Sequence, residues 1–202
     1  MNTSHTAFSG DFSSSKKALR QQIECWRRGL SPLQIATQGH LVFQQLQNLP
    51  FWHASNCVAL YASQPFEVPT FGLMEALFNA HKQVCLPGAD FEKPALAFVR
   101  SLGDLEAGRH GICCPKACCP PAALADIGLI VVPALAFANN GARLGRGGGF
   151  YDRLLAHPDM KALRVGLCFD ECLMQSLPEE AHDERVHWVV TDRQCIQGLP
   201  RK

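Results

Sequence analysis

The chain has 202 residues, of which 47% are hydrophobic and 18% are charged, and its 19 Lys and Arg against 18 Asp and Glu leave a formal net charge of +1. This length suits one domain with a substantial core, and the composition is that of an ordinary soluble globular protein. The near balance of charge gives no general signal for binding nucleic acid or a membrane surface, and no apolar run approaches the length of a membrane span.

The N-terminal segment is polar and rich in serine, reading MNTSHTAFSGDFSSS. It lacks the basic and then apolar pattern of a secretory signal peptide. We therefore expect residues 1–14 to form a flexible tail and the protein to be cytoplasmic.

Two helices are predicted after this tail. Residues 15–29 carry apolar side chains at helical spacing, which predicts an amphipathic helix. Its apolar face consists of Leu19, Ile23, Trp26 and Leu30. Ser31 and Pro32 are typical of a helix start, with serine as the cap and proline in the first turn. The second helix is expected to run to about Leu46.

Strand-like and helical segments alternate over the rest of the chain. The strand-like segments are CVALYA (57–62), QVCLP (83–87), ALAFV (95–99), IGLIVVP (127–133), RVGLCF (164–169) and VHWVVT (186–191), and residues 69–82 have helical spacing. The unbroken apolar run 127–133 is typical of a strand buried on both faces. This alternation predicts the α/β class. We expect a single domain over residues 15–202, with a largely parallel sheet flanked by helices in a Rossmann-like three-layer arrangement.

The ten cysteines need separate consideration. Several lie inside apolar strand-like segments, where cysteine acts as a small buried hydrophobic residue, and without a secretory signal we expect reduced thiols. The exception is CCPKACC, residues 113–119. Such a cluster suggests zinc, but zinc sites usually combine thiol pairs that are well separated in sequence. We interpret the cluster as a loop of incidental cysteines, with a metal site as the alternative.

The most unusual segment is RLGRGGGFYDR, residues 143–153, which lies between the apolar run 127–133 and a helical segment. Ligands of open α/β sheets bind at the carboxyl ends of the strands. Glycines there let backbone N–H groups surround an anion, and arginines add bidentate contacts to phosphate. The segment is therefore predicted to bind a polyphosphate, with Asp152 suited to a bridging Mg²⁺. The alternatives are a flexible basic surface loop and an ion pair between Asp152 and Arg153.

A wider segment around this loop, VPALAFANNGARLGRGGGFYDRLL (132–155), resembles the signature of the 5-formyltetrahydrofolate cyclo-ligase family, also called methenyltetrahydrofolate synthetase. KKALR (16–20) resembles the family's nucleotide-binding segment, FEVPT (66–70) its substrate-binding segment, and LPEEAHDERV (177–186) its C-terminal segment. The order and spacing of these segments are also similar to the family's. The resemblance implies ATP- and Mg²⁺-dependent closure of 5-formyltetrahydrofolate to 5,10-methenyltetrahydrofolate, with ADP and phosphate released.

The resemblance also implies a role for each matching residue. The implied nucleotide-binding residues are Lys16, Lys17, Arg20, Arg143, Leu144, Gly145, Arg146, Gly147, Gly148, Gly149, Phe150 and Tyr151. Two of these would be catalytic, since Arg146 would stabilise charge on the transferring phosphoryl group and Tyr151 would lie between nucleotide and folate. The implied Mg²⁺ ligands are Asp152 and Asp183. The implied folate-binding residues are Ala62, Glu67 and Tyr151, with the Glu67 carboxylate accepting from pterin N–H groups.

Several of these residues have simpler interpretations. Without the resemblance, Lys16 and Arg20 fit a solvated helix face, and Glu67, His182 and Asp183 fit exposed positions. Phe150 and Tyr151 fit the packed start of a helix.

The chain departs from the family's pattern at a few positions. Cys114 stands where the family often has a glutamate, Ala138 stands where it has an aspartate, and Phe150 replaces the first residue of a Tyr-Tyr pair. The two missing carboxylates allow for a divergent activity.

Three hypotheses for the function therefore stand. The chain is the cyclo-ligase, another ATP-dependent enzyme acting on a different amide or pterin, or a non-catalytic protein that binds folate or nucleotide. The expected partner is a small-molecule folate, with no nucleic acid and no membrane, and we expect a monomer.

Overall fold

The computed structural model describes residues 15–90 and 92–199. The predicted flexible tail, residues 1–14, lies outside this part of the chain. The helices are α1 (Lys16–Arg28), α2 (Pro32–Gln47), α3 (Pro50–Ala54), α4 (Phe71–Asn79) and α5 (Phe150–Leu155). The strands are β1 (Cys57–Ala59), β2 (Gln83–Pro87), β3 (Leu96–Val99), β4 (Leu105–Ala107), β5 (Cys113–Pro115), β6 (Pro121–Ala122), β7 (Leu129–Pro133), β8 (Ala136–Ala138), β9 (Arg143–Leu144), β10 (Leu163–Leu167), β11 (Leu173–Met174), β12 (Trp188–Val190) and β13 (Cys195–Gln197).

Eight of the described strands form one large sheet with the order β13-β12-β10-β7-β1-β2-β3-β6, and β4 and β5 pair as a separate hairpin. The central strands from β12 to β2 are parallel to their neighbours, while β13, β3 and β6 pair antiparallel at the two edges. The prediction of an α/β fold with a largely parallel sheet is confirmed. Parallel neighbours need crossover segments between them, and the helices supply most of these.

The sheet is buried on both faces, as the apolar run in β7 predicts. Leu129 and Val131 pack into a cluster with residues of α2 and α4, whereas Ile130 and Val132 pack into a second cluster with residues of α1 and α5. These strand residues are each at most 1% exposed, which is the burial expected of a strand covered by helices on both sides. The helices therefore form two outer layers around the sheet.

Both predicted N-terminal helices form, and their caps explain where they begin. The Ser15 hydroxyl accepts from the Ala18 N–H at the start of α1, at 3.3 Å. At the start of α2, Ser31 and Gln34 satisfy each other's backbone N–H groups in a capping box. No helix among the described residues has the length and apolar content that crossing a bilayer requires.

A small second sheet, β11-β8-β9, was not predicted from the sequence. Its β8–β9 hairpin turns at Asn140 and Gly141, where the Asn140 side chain accepts from the Ala142 N–H and Gly141 adopts φ +86°. Only glycine adopts this angle without strain. The hairpin returns the chain toward the end of β7, and it thereby places Arg143 at the entrance of the glycine-rich loop.

Strand β1 is shorter than predicted, ending at Ala59 rather than residue 62. Leu60 still donates its N–H to the Cys85 carbonyl of β2 at 2.9 Å, and side-chain hydrogen bonds hold the loop that follows. The Tyr61 hydroxyl donates to the Val68 carbonyl at 3.1 Å, and the Thr70 hydroxyl donates to the Tyr61 carbonyl. These bonds shape a loop between β1 and α4, and this loop carries Glu67.

Candidate active site

A cleft of about 690 Å³ lies at the carboxyl ends of the central strands. Tyr61 and Ala62 line it after β1, Pro87 at the end of β2, and Pro133 and Ala134 at the end of β7. This is the edge where open α/β sheets bind ligands, and the volume is within the range of small-molecule sites.

The glycine-rich loop forms one wall of this cleft. Gly147 and Gly149 adopt φ angles of +103° and +65°, so side chains at these positions would strain the backbone. The Nε atom of Arg20 donates to the Gly145 carbonyl at 2.8 Å, which ties the loop to α1. The loop is thus held by a helix that precedes it by more than a hundred residues.

Arg143 and Asp152 form a largely buried ion pair between the two ends of the loop. The Arg143 guanidinium is 5% exposed and donates to Oδ1 of Asp152, which also accepts from the Glu184 N–H at 3.2 Å. The alternative partner considered for Asp152, Arg153, is wrong, because Arg153 donates to the Gly148 carbonyl instead. The Nε atom of Arg143 is buried and has no hydrogen-bond partner among the described residues. A buried cationic N–H of this kind fits an anionic ligand.

Arg146 connects two carboxylates on different parts of the chain. Its guanidinium lies 3.0 Å from Oε1 of Glu24 on α1 and 3.0 Å from Oε1 of Glu67. Glu67 is the more buried of the two acids, and its second oxygen accepts from the Gln64 N–H at 2.9 Å. Phe66 beside it has φ +68°, an uncommon angle for an aromatic residue. The loop thus turns the Glu67 carboxylate into the cleft rather than toward solvent.

A second ion-pair cluster brings the two ends of the chain together. Nζ of Lys16 lies 2.6 Å from Asp183 and 3.0 Å from Glu180. Burial disfavours the charged forms of Lys16 and Asp183, but the hydrogen bond and the charge attraction between the two side chains outweigh this effect. The pKa of Lys16 is therefore raised and the pKa of Asp183 is lowered. Both groups remain charged near neutral pH.

Two tyrosines in the cleft remain neutral phenols. Burial raises the pKa of Tyr61 and of Tyr151, and the negative charge of Glu67 raises both further. The ring of Tyr151 also packs edge-on against Phe150, with the ring centroids 5.2 Å apart. Neither phenol ionises near neutral pH, so neither acts as a base. The Tyr61 hydroxyl already donates to the Val68 carbonyl, whereas the Tyr151 hydroxyl can donate to a ligand.

Nearly all of the residues singled out from the sequence line this one cleft. They are Lys16, Arg20, Ala62, Glu67, Arg143, Leu144, Gly145, Arg146, Gly147, Gly148, Gly149, Phe150, Tyr151, Asp152 and Asp183. Lys17 does not line it and lies on the exposed side of α1. Sequence reasoning missed Glu24, which contacts Arg146, and Arg109, which lines the cleft. No local pattern marks either residue, since each is an isolated charge whose neighbours in space are distant in sequence.

The two positions where the family's carboxylates are missing lie away from the cleft lining. Cys114 and Ala138 are 3% and 0% exposed, and both pack in the interior. Cys113, which precedes the first of them, does line the cleft.

The CCPKACC segment does not bring its thiols to one point. Cys114 is buried in β5, whereas Cys118 is exposed. Burial and Glu106 raise the pKa of Cys114, and burial and Asp104 raise the pKa of Cys119. A metal binds the thiolate, so both shifts oppose coordination. Within the described ranges no three His, Cys, Asp or Glu side chains converge as a metal site.

We expect protein purified under reducing conditions to contain well below one zinc per chain. The physical reason is the divergent burial of these thiols and their preference for the protonated form. Elemental analysis of the purified protein measures this. One tightly held zinc per chain that disappears in a variant with Ser at positions 113, 114, 118 and 119 would show the interpretation to be wrong.

Asp152 and Asp183 suit a magnesium ion that arrives with a polyphosphate. Mg²⁺ commonly takes one or two protein carboxylates and completes its octahedron with phosphate oxygens and water. Both carboxylates line the cleft, and each is paired with a cation, Arg143 or Lys16. The donor set therefore fits the metal, and the surrounding cations fit the phosphates.

Comparisons with known proteins identify the family of the chain. The sequence profile of the 5-formyltetrahydrofolate cyclo-ligase family matches residues 12–192. The chain is 33% identical to the 5-formyltetrahydrofolate cyclo-ligase of Haemophilus influenzae, covering 87% of this chain and 93% of that one, and 33% identical to that of Escherichia coli K12, covering 82% and 93%. The structure is similar to that of 5,10-methenyltetrahydrofolate synthetase from Aquifex aeolicus, with a TM-score of 0.80, 31% identity, and 93% and 94% of the two chains covered.

Proposed function

Because the chain belongs to the 5-formyltetrahydrofolate cyclo-ligase family, we propose that it closes 5-formyltetrahydrofolate to 5,10-methenyltetrahydrofolate as a monomeric cytoplasmic enzyme, consuming ATP and releasing ADP and phosphate. One observation carries the proposal most directly. Arg146, on the anion-binding loop, lies 3.0 Å from Glu67, the carboxylate suited to the pterin. A reaction that moves a phosphoryl group onto an oxygen attached to the pterin needs these two subsites to adjoin.

The chemistry explains why ATP is needed. The formyl carbon on N5 is a weak electrophile, because the nitrogen donates electron density into the carbonyl and the oxygen is a poor leaving group. Transfer of the γ-phosphoryl group to the formyl oxygen makes that oxygen a good leaving group. N10 then attacks the carbon, its proton is lost, and phosphate departs with the former formyl oxygen. The protein contributes mainly positioning and charge stabilisation.

The nucleotide subsite is assigned to the glycine-rich loop and the cations around it. Backbone N–H groups of the loop would bind phosphate oxygens, and the buried Nε of Arg143 has an open N–H to donate. Lys16 and Arg20 approach the same space from α1. Arg146, whose side chain is 43% exposed and lines the cleft, is assigned to the transferring phosphoryl group.

The folate subsite is assigned to Glu67, Ala62 and Tyr151. The Glu67 carboxylate would accept from the two donors on the pterin edge, as one of its oxygens now does from Arg146. The charges of Glu67 and Arg143 both act on the Tyr151 hydroxyl, which lines the same cleft as these two residues. Its neutral phenol would donate a hydrogen bond where the two substrates meet.

Mg²⁺ would be held by Asp152 and Asp183, and when bound it would neutralise charge on the phosphates. Each of these carboxylates is also paired with a cation that lines the cleft, Asp152 with Arg143 and Asp183 with Lys16.

Formation of methenyltetrahydrofolate, followed by its near-ultraviolet absorbance in the presence of ATP, Mg²⁺ and 5-formyltetrahydrofolate, tests the proposal. We expect one ADP for each product molecule. Consumption of ATP with a different pterin and none with this one would favour another amide-activating enzyme. Ligand binding without ATP hydrolysis would favour a non-catalytic protein.

Mg²⁺–ATP at about 100 times its dissociation constant is expected to stabilise the fold by roughly 2.7 kcal/mol, since a ligand that binds only the native state acts by mass action. For a chain of this size the melting temperature should rise by about 5–10 °C. Thermal denaturation with and without ATP measures the shift. If millimolar ATP produced no shift, the assignment of the loop to a polyphosphate would be wrong.

A further inference from the structure

The cleft extends beyond the proposed pterin subsite, toward the part of the sheet farthest from the glycine-rich loop. In the sheet order, β1 separates β7 from β2, and β5 packs against β2 and β3. The glycine-rich loop and the end of β7 therefore lie on one side of β1, the strand that leads into the loop with Glu67, while the β4–β5 hairpin lies on the other side of β1. The 3₁₀ turn Arg109–Gly111 and β5 form this far wall, with Arg109, Ile112 and Cys113 lining the cleft.

Arg109 differs from the other cations of the cleft. Lys16, Arg143 and Arg146 each form an ion pair, and Arg20 donates to a backbone carbonyl. The side chain of Arg109 is exposed and has no ion pair or hydrogen bond within the described part of the chain. An uncompensated guanidinium at the wall of a cleft is suited to an anionic group of the ligand.

The folate substrate carries anionic groups, the carboxylates of its glutamate tail, at the end opposite to the pterin. If Glu67 binds the pterin and the formyl group faces the loop, the space toward the loop is taken by ATP. The benzoylglutamate part, which leaves the pterin through N10, then extends to the opposite side. Pro87 and Ile112 line the cleft there and offer apolar surface for the benzoyl ring. Arg109 lies next to Ile112, whose N–H donates to the Arg109 carbonyl at 3.2 Å. We propose that Arg109 binds a carboxylate of the glutamate tail and makes the protein select glutamylated substrates; this inference rests on the proposed function.

The test compares 5-formyltetrahydrofolate with the methylamide of 5-formyltetrahydropteroate, which has the same pterin and benzamide but carries no carboxylate. For the unmodified protein we expect a KM about tenfold lower for the glutamylated compound, the scale of one charge-assisted contact at a partly exposed site. In Arg109→Ala this preference should fall to about twofold or less, because the carboxylate has lost its partner. Arg109→Lys should restore part of it, since the charge returns without the planar fork.

Arg100→Ala is the matched control. Arg100 is also an exposed arginine, it follows β3, and it does not line the cleft. Its replacement removes the same charge from the protein and should leave the tenfold preference in place. A loss of preference in both variants would mean that net charge, and not a contact, attracts the tail.

The remaining outcomes separate this inference from the function on which it rests. If the unmodified protein forms no methenyl product from either compound, the proposed function fails. If the unmodified protein is active and Arg109→Ala raises both KM values equally, Arg109 acts on the shared part of the substrate and the inference is overturned. The same conclusion follows if the preference is intact in Arg109→Ala. Melting temperatures of Arg109→Ala and Arg109→Lys establish that both variants are folded.

Discussion

Replacement of Asp152 by Asn is expected to lower turnover by at least about 100-fold, the scale seen when one electrostatic partner of a transition state is removed. The amide keeps the shape of the side chain and an oxygen that can accept from Arg143 and from the Glu184 N–H, as Oδ1 of Asp152 does. It lacks the negative charge that binds Mg²⁺. The expected loss is therefore one of metal binding rather than of folding.

The dependence of turnover on Mg²⁺ concentration is the measurement that separates these two roles. The Asn variant should need a higher Mg²⁺ concentration for half of its own maximal rate. Its stability should fall by no more than about 1.5–3 kcal/mol, the range for a hydrogen bond to a charged group. If the variant unfolds, or if its Mg²⁺ dependence is unaltered, Asp152 serves as the structural partner of Arg143 and the metal assignment fails.

Glu179→Gln provides a matched control for this prediction. Glu179 also forms an ion pair with an arginine, Arg185, and its side chain is 15% exposed, close to the 18% of Asp152. It does not line the cleft. This variant should lose a similar amount of stability and retain the Mg²⁺ dependence of the unmodified protein.

The parts of the fold that the sequence predicts are those with a strong local pattern. The run 127–133 specifies a strand buried on both faces because every one of its side chains must leave water, whichever face it points to. Ser31 and Pro32 specify a helix start because a cap and a first-turn proline act on adjacent residues. Neither conclusion requires knowledge of what lies across the sheet.

The small sheet and the short end of β1 could not be predicted in the same way. Strands β8, β9 and β11 are two or three residues long, too short for an alternating pattern to appear. The loop that follows β1 is held by the Thr70 hydroxyl, which donates to the carbonyl of Tyr61 nine residues earlier, and a side-chain contact of this kind forms only once the loop has closed.

In the candidate site, too, the residues with a local sequence pattern could be predicted, whereas those defined by long-range contacts could not. The glycines and arginines of residues 143–153 are close in sequence, and their chemistry alone predicts an anion site. Glu67 gains its importance from Arg146, which is 79 residues away, and Glu24 from the same arginine at a separation of 122 residues. Contacts over such distances depend on the sheet order, and a single sequence does not specify that order.

The final expectation concerns the fate of the formyl oxygen. If ATP activates that oxygen, ¹⁸O placed in the formyl group should be recovered in inorganic phosphate, with one ADP formed for each methenyl product. Tetrahydrofolate has no formyl oxygen and offers no phosphoryl acceptor. It should bind through Glu67 and give ATP hydrolysis near the background rate. Mass spectrometry of the released phosphate makes the measurement.

Arg146→Ala should slow this oxygen transfer by roughly 100-fold or more, because its guanidinium is assigned to the charge that develops on the transferring phosphoryl group. Folate binding should change less, since Glu67 keeps its bond from the Gln64 N–H and gains room for the pterin. Glu24→Gln is the control. Glu24 contacts Arg146 at 3.0 Å, the same distance as Glu67, but it is the more exposed of the two acids. Its replacement removes this ion pair and leaves the guanidinium in place. The rate of oxygen transfer should therefore stay within about threefold of that of the unmodified protein, as expected for an exposed ion pair.

The position of the label decides between mechanisms, whatever the rates. Label found in water while product still forms would mean that the formyl oxygen leaves without becoming attached to phosphorus. ATP would then act through binding or through another group, and the role given to Arg146 would be wrong. Label in phosphate together with a large loss in Arg146→Ala and a small one in Glu24→Gln would assign the slow step to the guanidinium itself. The 3.0 Å contact between Arg146 and Glu67 would then be the point at which the nucleotide and folate subsites meet.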